Sequence, residues 1–154
     1  MTDILRLRKH LSGSQPQPAW PQGVALRPQE TADPEALHAI LAEAYANGFG
    51  SVPDFVTWWP AVTGDSEYDP ALLFIAADTA RHPVGLALCW SSGFIKDVAV
   101  IPAWRGRGVA QALLLTAFRA FQHRGLPHVD LKVIAANAPA LRLYLGMGMT
   151  EAPL

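Results

Sequence analysis

Apolar and polar residues alternate with a period of two at the start of this chain, short apolar runs recur later, and four stretches switch to a period near 3.6. The alternation begins in ILRLRKHL, residues 4 to 11, which reads as an extended segment, and the Ser/Gln/Pro-rich stretch after it reads as a linker. Residues 1 to 22 are therefore expected to form an N-terminal arm and linker, and residues 23 to 154 a single domain. VALRPQE, residues 24 to 30, predicts a short strand. DPEALHAILAEAYANG predicts a helix capped by Thr31 or Asp33, with Pro34 in its first turn and Leu37, Ile40, Leu41 and Tyr45 on its buried stripe. PDFVTWWPAV predicts a second helix stopped near Pro60, and the acidic GDSEYDP after it predicts an exposed loop.

From residue 72 three strands follow in succession, LLFIAAD, PVGLALCWSS and FIKDVAVIP, separated by the turn-forming DTARHP and SSG. Successive strands with short turns imply an antiparallel meander. A helix over 107 to 123, carrying Val109, Leu113, Ala117, Phe118 and Phe121 on one face, then leads to a strand over 128 to 135 and to a helix beginning near Asn137. A strand, a crossover helix and a further strand imply a parallel pair. The fold class expected is α/β (α+β): a mixed central sheet, antiparallel early and parallel late, flanked by helices.

Composition narrows the function classes. A length of 154 residues with 51% hydrophobic residues suits one domain with a core, and a formal charge of -1 gives no whole-chain footprint for nucleic acid. No apolar run approaches the roughly 20 residues that span a bilayer, and MTDILRLRKHL lacks the apolar region of a signal peptide, so a soluble, cytoplasmic protein is expected. The single cysteine, Cys89, lies in an apolar run that suits a buried small hydrophobe. The five histidines, at 10, 38, 82, 123 and 128, hold no metal-ligand spacing, and no metal is expected.

The segment with the most chemistry is DVAVIPAWRGRGVAQALLL, residues 97 to 115, where an apolar strand enters an Arg/Gly turn that opens a helix. The unpaired N–H groups and positive dipole end of a helix attract phosphate oxygens, and glycine allows close approach of the backbone. Arg105 and Arg107 add forked donors suited to a pyrophosphate, beside Gly106, Gly108, Val109 and Ala110. A dinucleotide fingerprint is disfavoured because Gln111 stands where its third glycine belongs, and a Walker motif is excluded by the lack of Gly-Lys-Ser or Gly-Lys-Thr.

This turn resembles the acetyl-CoA-binding motif of the GCN5-related N-acetyltransferase (GNAT) family, Arg/Gln-x-x-Gly-x-Gly/Ala, with Arg105, Gly108 and Ala110 in its defined places. Val98-Ala99-Val100 is similar to the family's apolar fourth strand. Downstream, NAPALRLYLGMGM, residues 137 to 149, resembles the family's closing pattern through Asn137, Ala140, Leu143, Tyr144, Gly148 and Met149. The resemblance covers roughly residues 24 to 150. It implies a sheet splayed open between its fourth and fifth strands, and an acetyl-CoA-dependent N-acetyltransferase acting on a primary amine of a small molecule or peptide.

On that resemblance, amides at Arg105 to Ala110 would hold pyrophosphate, backbone groups at Val98 and Val100 would pair with the pantetheine arm, and Ala99 and Asn137 would complete the cofactor site. Tyr144 is expected as the general acid, although a helix aromatic at that place also suits core packing. Some relatives carry a glutamate base where this chain has Phe94. Asp97 is the nearest substitute, but strand alternation aims it opposite to Phe94 unless a bulge intervenes. Asp54, Trp58, Glu67 and Trp90 are candidates for the acceptor side, with Tyr45 and Trp59 beside them, and their default role is packing or solvation.

Relatives continue past the last glycine into two further strands, whereas six residues follow Gly148 here. The arm, with Ile4, Leu5, Leu7 and Leu11, is expected to fill the vacated edge beside residues 128 to 135, in its own subunit or in a partner's, which leaves a homodimer open. The departures from the family pattern also leave open a second reading, a catalytically inactive CoA-binding regulatory module.

Overall fold

The computed structural model describes residues 3 to 28 and 33 to 154. They form a seven-stranded sheet flanked by four helices. The strands are β1 Ile4–His10, β2 Val24–Arg27, β3 Tyr68–Asp78, β4 Pro83–Trp90, β5 Phe94–Val100, β6 His128–Ile134 and β7 Thr150–Ala152. The helices are α1 Pro34–Tyr45, α2 Phe55–Thr63, α3 Val109–His123 and α4 Ala138–Gly146. Sheet order is β2-β3-β4-β5-β6-β1-β7, antiparallel throughout except for the parallel β5–β6 pair. The mixed sheet read from the sequence is the observed one.

Side-chain alternation on β3 to β5 sorts the core into two layers. Leu72, Phe74, Ala87, Cys89 and Ile95 pack beneath α3, whose Val109, Leu113, Leu114, Ala117, Phe118 and Phe121 are buried at helical spacing. Leu73, Ile75, Leu86 and Leu88 face the other way, onto Leu37 and Leu41 of α1 and Trp58 and Val62 of α2. Cys89 is fully buried in the α3 layer, where desolvation pushes its thiol pKa well up and leaves it an inert apolar filler.

The helix ends follow from local chemistry. Asp33 caps α1 by accepting from the Glu35 amide at 3.0 Å, with Pro34 in the first turn; Thr31, the other expected cap, lies outside the described residues, as do residues 29 and 30 of the expected first strand. Two boundaries are corrected. Pro60 does not stop the second helix, which runs to Thr63 because Trp58 and Val62, on either side of the proline, are both buried. The acidic segment is only partly a loop, since Tyr68, Asp69 and Pro70 already belong to β3 and Tyr68 pairs with Trp90.

The arm joins the sheet of its own chain. β1 lies antiparallel between β6 and β7, with Leu7 opposite Leu131 and Arg8 opposite Asp130. Its odd positions enter the α3 layer, where Leu7 is 1% exposed. Beyond it the chain stays tied to α3: Gln122 donates to the Leu11 carbonyl at 2.9 Å and Arg119 to the Gln15 carbonyl at 2.8 Å. On the opposite face Asp130 accepts from Arg6 at 2.7 Å and from Arg8 at 2.8 and 2.9 Å. Burial alone would raise the Asp130 pKa, but the hydrogen bonds and charges of Arg8 and Arg6 outweigh it and bring the group down to about 2.

Substitutions in and beside β1 check this packing. Leu7→Ala lowers unfolding free energy by about 2–4 kcal/mol in urea denaturation, while Ile4→Ala at the exposed start of the same strand costs less than about 1 kcal/mol. The depressed Asp130 pKa adds stability that is fully present above the ordinary carboxylate range and is lost as pH falls through about 2, so acid unfolding of Asp130→Asn loses that component between roughly pH 4 and 2.

Candidate active site

β5 and β6 share only two register pairs, Phe94 with Asp130 and Ile95 with Leu131, and then separate. Between them opens a cleft of about 720 Å³, walled by Val98 and Val100 on one side, Leu131 and Val133 on the other, and Tyr144 of α4. The Ile101 amide donates to the Val84 carbonyl, so antiparallel alternation turns the backbone groups of Ala99 and Asp97 toward β4 and those of Val98 and Val100 into the cleft. One of these is already engaged: the Val100 carbonyl accepts from Arg105 Nε at 2.8 Å. The Val98 N–H and C=O and the Val100 N–H remain directed at the opening.

At the mouth, a 3-10 turn Pro102–Trp104 leads into the glycine turn and α3. Gly106 and Gly108 have φ of +73° and +92°, in the left-handed region, where any side chain would be strained. The first α3 hydrogen bond runs from the Ala112 amide to the Gly108 carbonyl, so the preceding amides of the helix lack intrahelical acceptors and cluster at the turn. Arg105 braces this turn, binding Glu43 of α1 through Nη2 at 2.5 Å as well as the Val100 carbonyl. Arg107 lies over the Trp104 ring, 5.0 Å from its centroid.

Midway along the cleft sits Asp97, 7% exposed. Its direction depends on a β-bulge: Leu88 pairs with Asp97 but Cys89 pairs with Ile95, which leaves Lys96 as the extra residue. Ile95 consequently points into the α3 layer and Asp97 to the α1 side with Ala99. Tyr45 of α1 donates its hydroxyl to Asp97 Oδ1, and Lys96 Nζ lies 3.0 Å from Oδ2. Burial first, then the Asp97 charge and this hydrogen bond, drive the Tyr45 pKa far above the ordinary phenol value. Tyr144 is pushed up to about 12 by burial and by the Asp97 charge, so it stays protonated and able to donate across the physiological range. Gly50 seats Tyr45: a Cβ there would come within 2.7 Å of its ring.

The acetyltransferase (GNAT) family model matches residues 35–149, three quarters of the chain. The chain belongs to the GNAT acetyltransferase family. A GCN5-related N-acetyltransferase from Sphaerobacter thermophilus superposes with a TM-score of 0.77 at 34% identity, over 98% of this chain and 49% of that one. The ribosomal-protein-S18-alanine N-acetyltransferase of Escherichia coli superposes with a TM-score of 0.68 at 25% identity, over 84% of this chain and 79% of that one. The mycothiol acetyltransferase of Thermobispora bispora is 32% identical over 96% of this chain and 54% of its own length. The chain thus spans about half the length of the curated relatives it matches.

Within the GNAT cleft the structure brings together Asp97, Val98, Ala99, Val100, Arg105, Gly106, Ala110, Asn137 and Tyr144. Asn137 also caps α4, its side chain accepting from the Ala140 amide at 3.4 Å. The Val109 side chain is buried beneath α3, which leaves only its backbone at the turn, and Arg107 stacks outside the cleft. Two acceptor candidates lie elsewhere. Trp58 is 2% exposed in the core between α1 and α2, and Asp54 spends its carboxylate capping α2, accepting from the Thr57 amide at 2.9 Å. Glu67 and Trp90 border a smaller hollow beside the cleft. Sequence reasoning missed Lys96, and it missed Glu43 as the partner of Arg105, because both roles depend on contacts between elements. Among the described residues no group of three His, Cys, Asp or Glu side chains is placed to hold a metal, and no helix is long and apolar enough to cross a membrane.

In an ultraviolet titration, the absorbance step that Tyr144→Phe removes is expected near pH 12, and Asp97→Asn shifts that step downward by withdrawing the neighbouring charge.

Proposed function

We propose that this chain is an acetyl-CoA-dependent N-acetyltransferase that moves an acetyl group to a primary amine by direct attack, with Asp97 as general base and Tyr144 as general acid. The observation that carries this reading is the meeting in one cleft of a carboxylate held by Tyr45 and a phenol kept protonated by burial and by that carboxylate. It is supported by the family, and by neighbours and relatives named for N-acetyltransfer or acetyltransfer.

The cleft fits acetyl-CoA at both of its chemical ends. The amides around Gly108 and the start of α3 would cradle the pyrophosphate, while Arg105, committed to Glu43 and Val100, would shape the turn and add positive charge. The groups of Val98 and Val100 that face the opening would pair with the peptide-like pantetheine as an added strand edge. When bound, acetyl-CoA supplies the acetyl thioester. Asp97 takes the proton of the attacking amine as the N–C bond forms, the Val98 N–H stabilises charge developing on the carbonyl oxygen, and Tyr144 protonates the sulfur released as the C–S bond breaks. The bulge at Lys96 compensates for Phe94 at the glutamate position, since it turns Asp97 to the side where alternation puts Phe94.

Asp97→Asn and Tyr144→Phe are each expected to lower kcat by about 10²–10⁴-fold in a thiol-release assay across a panel of amines, with acetyl-CoA affinity within about threefold of the parent. Gly108→Ala, strained at φ +92°, weakens acetyl-CoA binding by roughly tenfold in calorimetry. Acetyl-CoA binding without thiol release from any amine would sink the catalytic reading in favour of a binding module.

A further inference from the structure

Beside the cleft, on the same face of the sheet as Asp97, lies a second hollow of about 400 Å³. α1 packs over β4 and β5, and the hollow lies where the face continues onto β6 and β1. Its wall follows from alternation on two paired strands. The even positions of β1 present Arg6 and Arg8, and those of β6 present His128, Asp130 and Lys132, while their odd neighbours enter the core. Lys132 lines both this hollow and the main cleft, so the two adjoin.

The charge of this wall is out of balance. Asp130 is the one carboxylate on the two strands that faces it, and it is shared by Arg6 and Arg8. The Glu67 carboxylate, across the hollow, accepts from the Ser92 amide at 3.2 Å. Lys132 stands directly opposite Arg6 in the β1–β6 register, an arrangement of like charges that costs stability in a sheet. Against the three cations Arg6, Arg8 and Lys132 the hollow sets two carboxylates, Asp130 and Glu67, which leaves one positive charge in excess. His128 adds a further nitrogen to this cluster, its Nδ1 lying 3.4 Å from Asp130 Oδ1. A concave site with a surplus of forked and ammonium donors suits an oxyanion.

We propose that this hollow binds an oxyanion carried by the acceptor, a carboxylate or a phosphate, so that the enzyme acts on amines bearing such a group. The oxyanion lies against Lys132, Arg6 and Arg8, and the amine reaches past Phe94 toward Asp97. Phe94 supports the geometry from below, with the Arg6 guanidinium carbon 5.7 Å from its ring centroid. The terminal strand therefore contributes to acceptor selection as well as to the sheet. This inference rests on the N-acetyltransferase reading for the identity of the ligand, but not for the existence of the pocket.

The test compares matched amines at saturating acetyl-CoA: β-alanine against β-alaninamide, and phosphoethanolamine against ethanolamine. The charged member of at least one pair is expected to show a kcat/KM about tenfold or more above its neutral counterpart, and the pair that shows it identifies carboxylate or phosphate as the source. Lys132→Gln, a change at an exposed residue, should remove most of that preference by raising KM for the charged member several-fold more than for the neutral one. A turnover-independent arm monitors the tryptophan fluorescence that Trp90→Phe removes during titration with inorganic phosphate, where saturable, salt-sensitive binding is expected to weaken about fivefold or more in Lys132→Gln. Equal kcat/KM within both pairs overturns the proposal, as does a preference that survives both Lys132→Gln and Arg6→Gln. If no amine is turned over, the phosphate arm decides: binding that Lys132→Gln weakens supports the pocket while the catalytic reading fails, and absence of such binding overturns the pocket.

Discussion

The divergence of β5 from β6 is the constraint on which the rest of the molecule depends. Parallel strands that remain paired consume their backbone groups in the ladder, and here the ladder ends after Ile95 and Leu131. Past that point the two strands enclose a wedge, with hydrogen-bonding groups on one wall and apolar side chains on both. Leaving a sheet half open costs backbone hydrogen bonds, and the cost is offset by α3, which packs against strands on both sides of the gap. Phe118 and Phe121, both fully buried, belong to this bridging layer.

A second constraint is local. One extra residue, Lys96, reverses the facing of everything after it on β5, and this reversal brings an acidic side chain out of the α3 core into contact with Tyr45. Tyr45 in turn depends on Gly50, whose missing side chain makes room for the ring. The environment of the carboxylate is thus assembled from a strand irregularity, a helix C-terminus and the loop after that helix, and each matters only because the other two are present. Arg105 links the same parts from outside by joining Glu43 of α1 to the end of β5.

Periodicity made the mixed sheet, the α3 crossover and the glycine turn readable, because each is encoded within a few neighbouring residues. The bulge was not readable, since FIKDVAV carries no compositional mark of an extra residue and the slip shows only against the β4 partner. Pro60 misled for the opposite reason: local propensity ends a helix there, and burial of Val62 overrides it. Trp58 and Trp90 are the same residue type, yet one fills the core and the other borders the hollow, a distinction made by packing. The pairing of Arg6 and Arg8 with Asp130 spans more than a hundred residues, and its one trace in the sequence is the placement of charges on alternate positions of two strands.

The position of β1 in the sheet has a consequence for how the chain reaches this state. Its antiparallel partner β6 and its other neighbour β7 are both made long after it, with Arg6 and Asp130 separated by 124 positions. On a ribosome, β1 waits as an amphipathic strand without its sheet partner until β6 has emerged, and pairing over so long a separation slows folding. Its alternating arginines and lysine keep that waiting strand from pairing with a copy of itself, as charges on edge strands do in finished sheets. The residues proposed to receive the acceptor's charge would then also act as guards during synthesis, and exchanging them for neutral residues would change the yield of folded protein before any substrate is met.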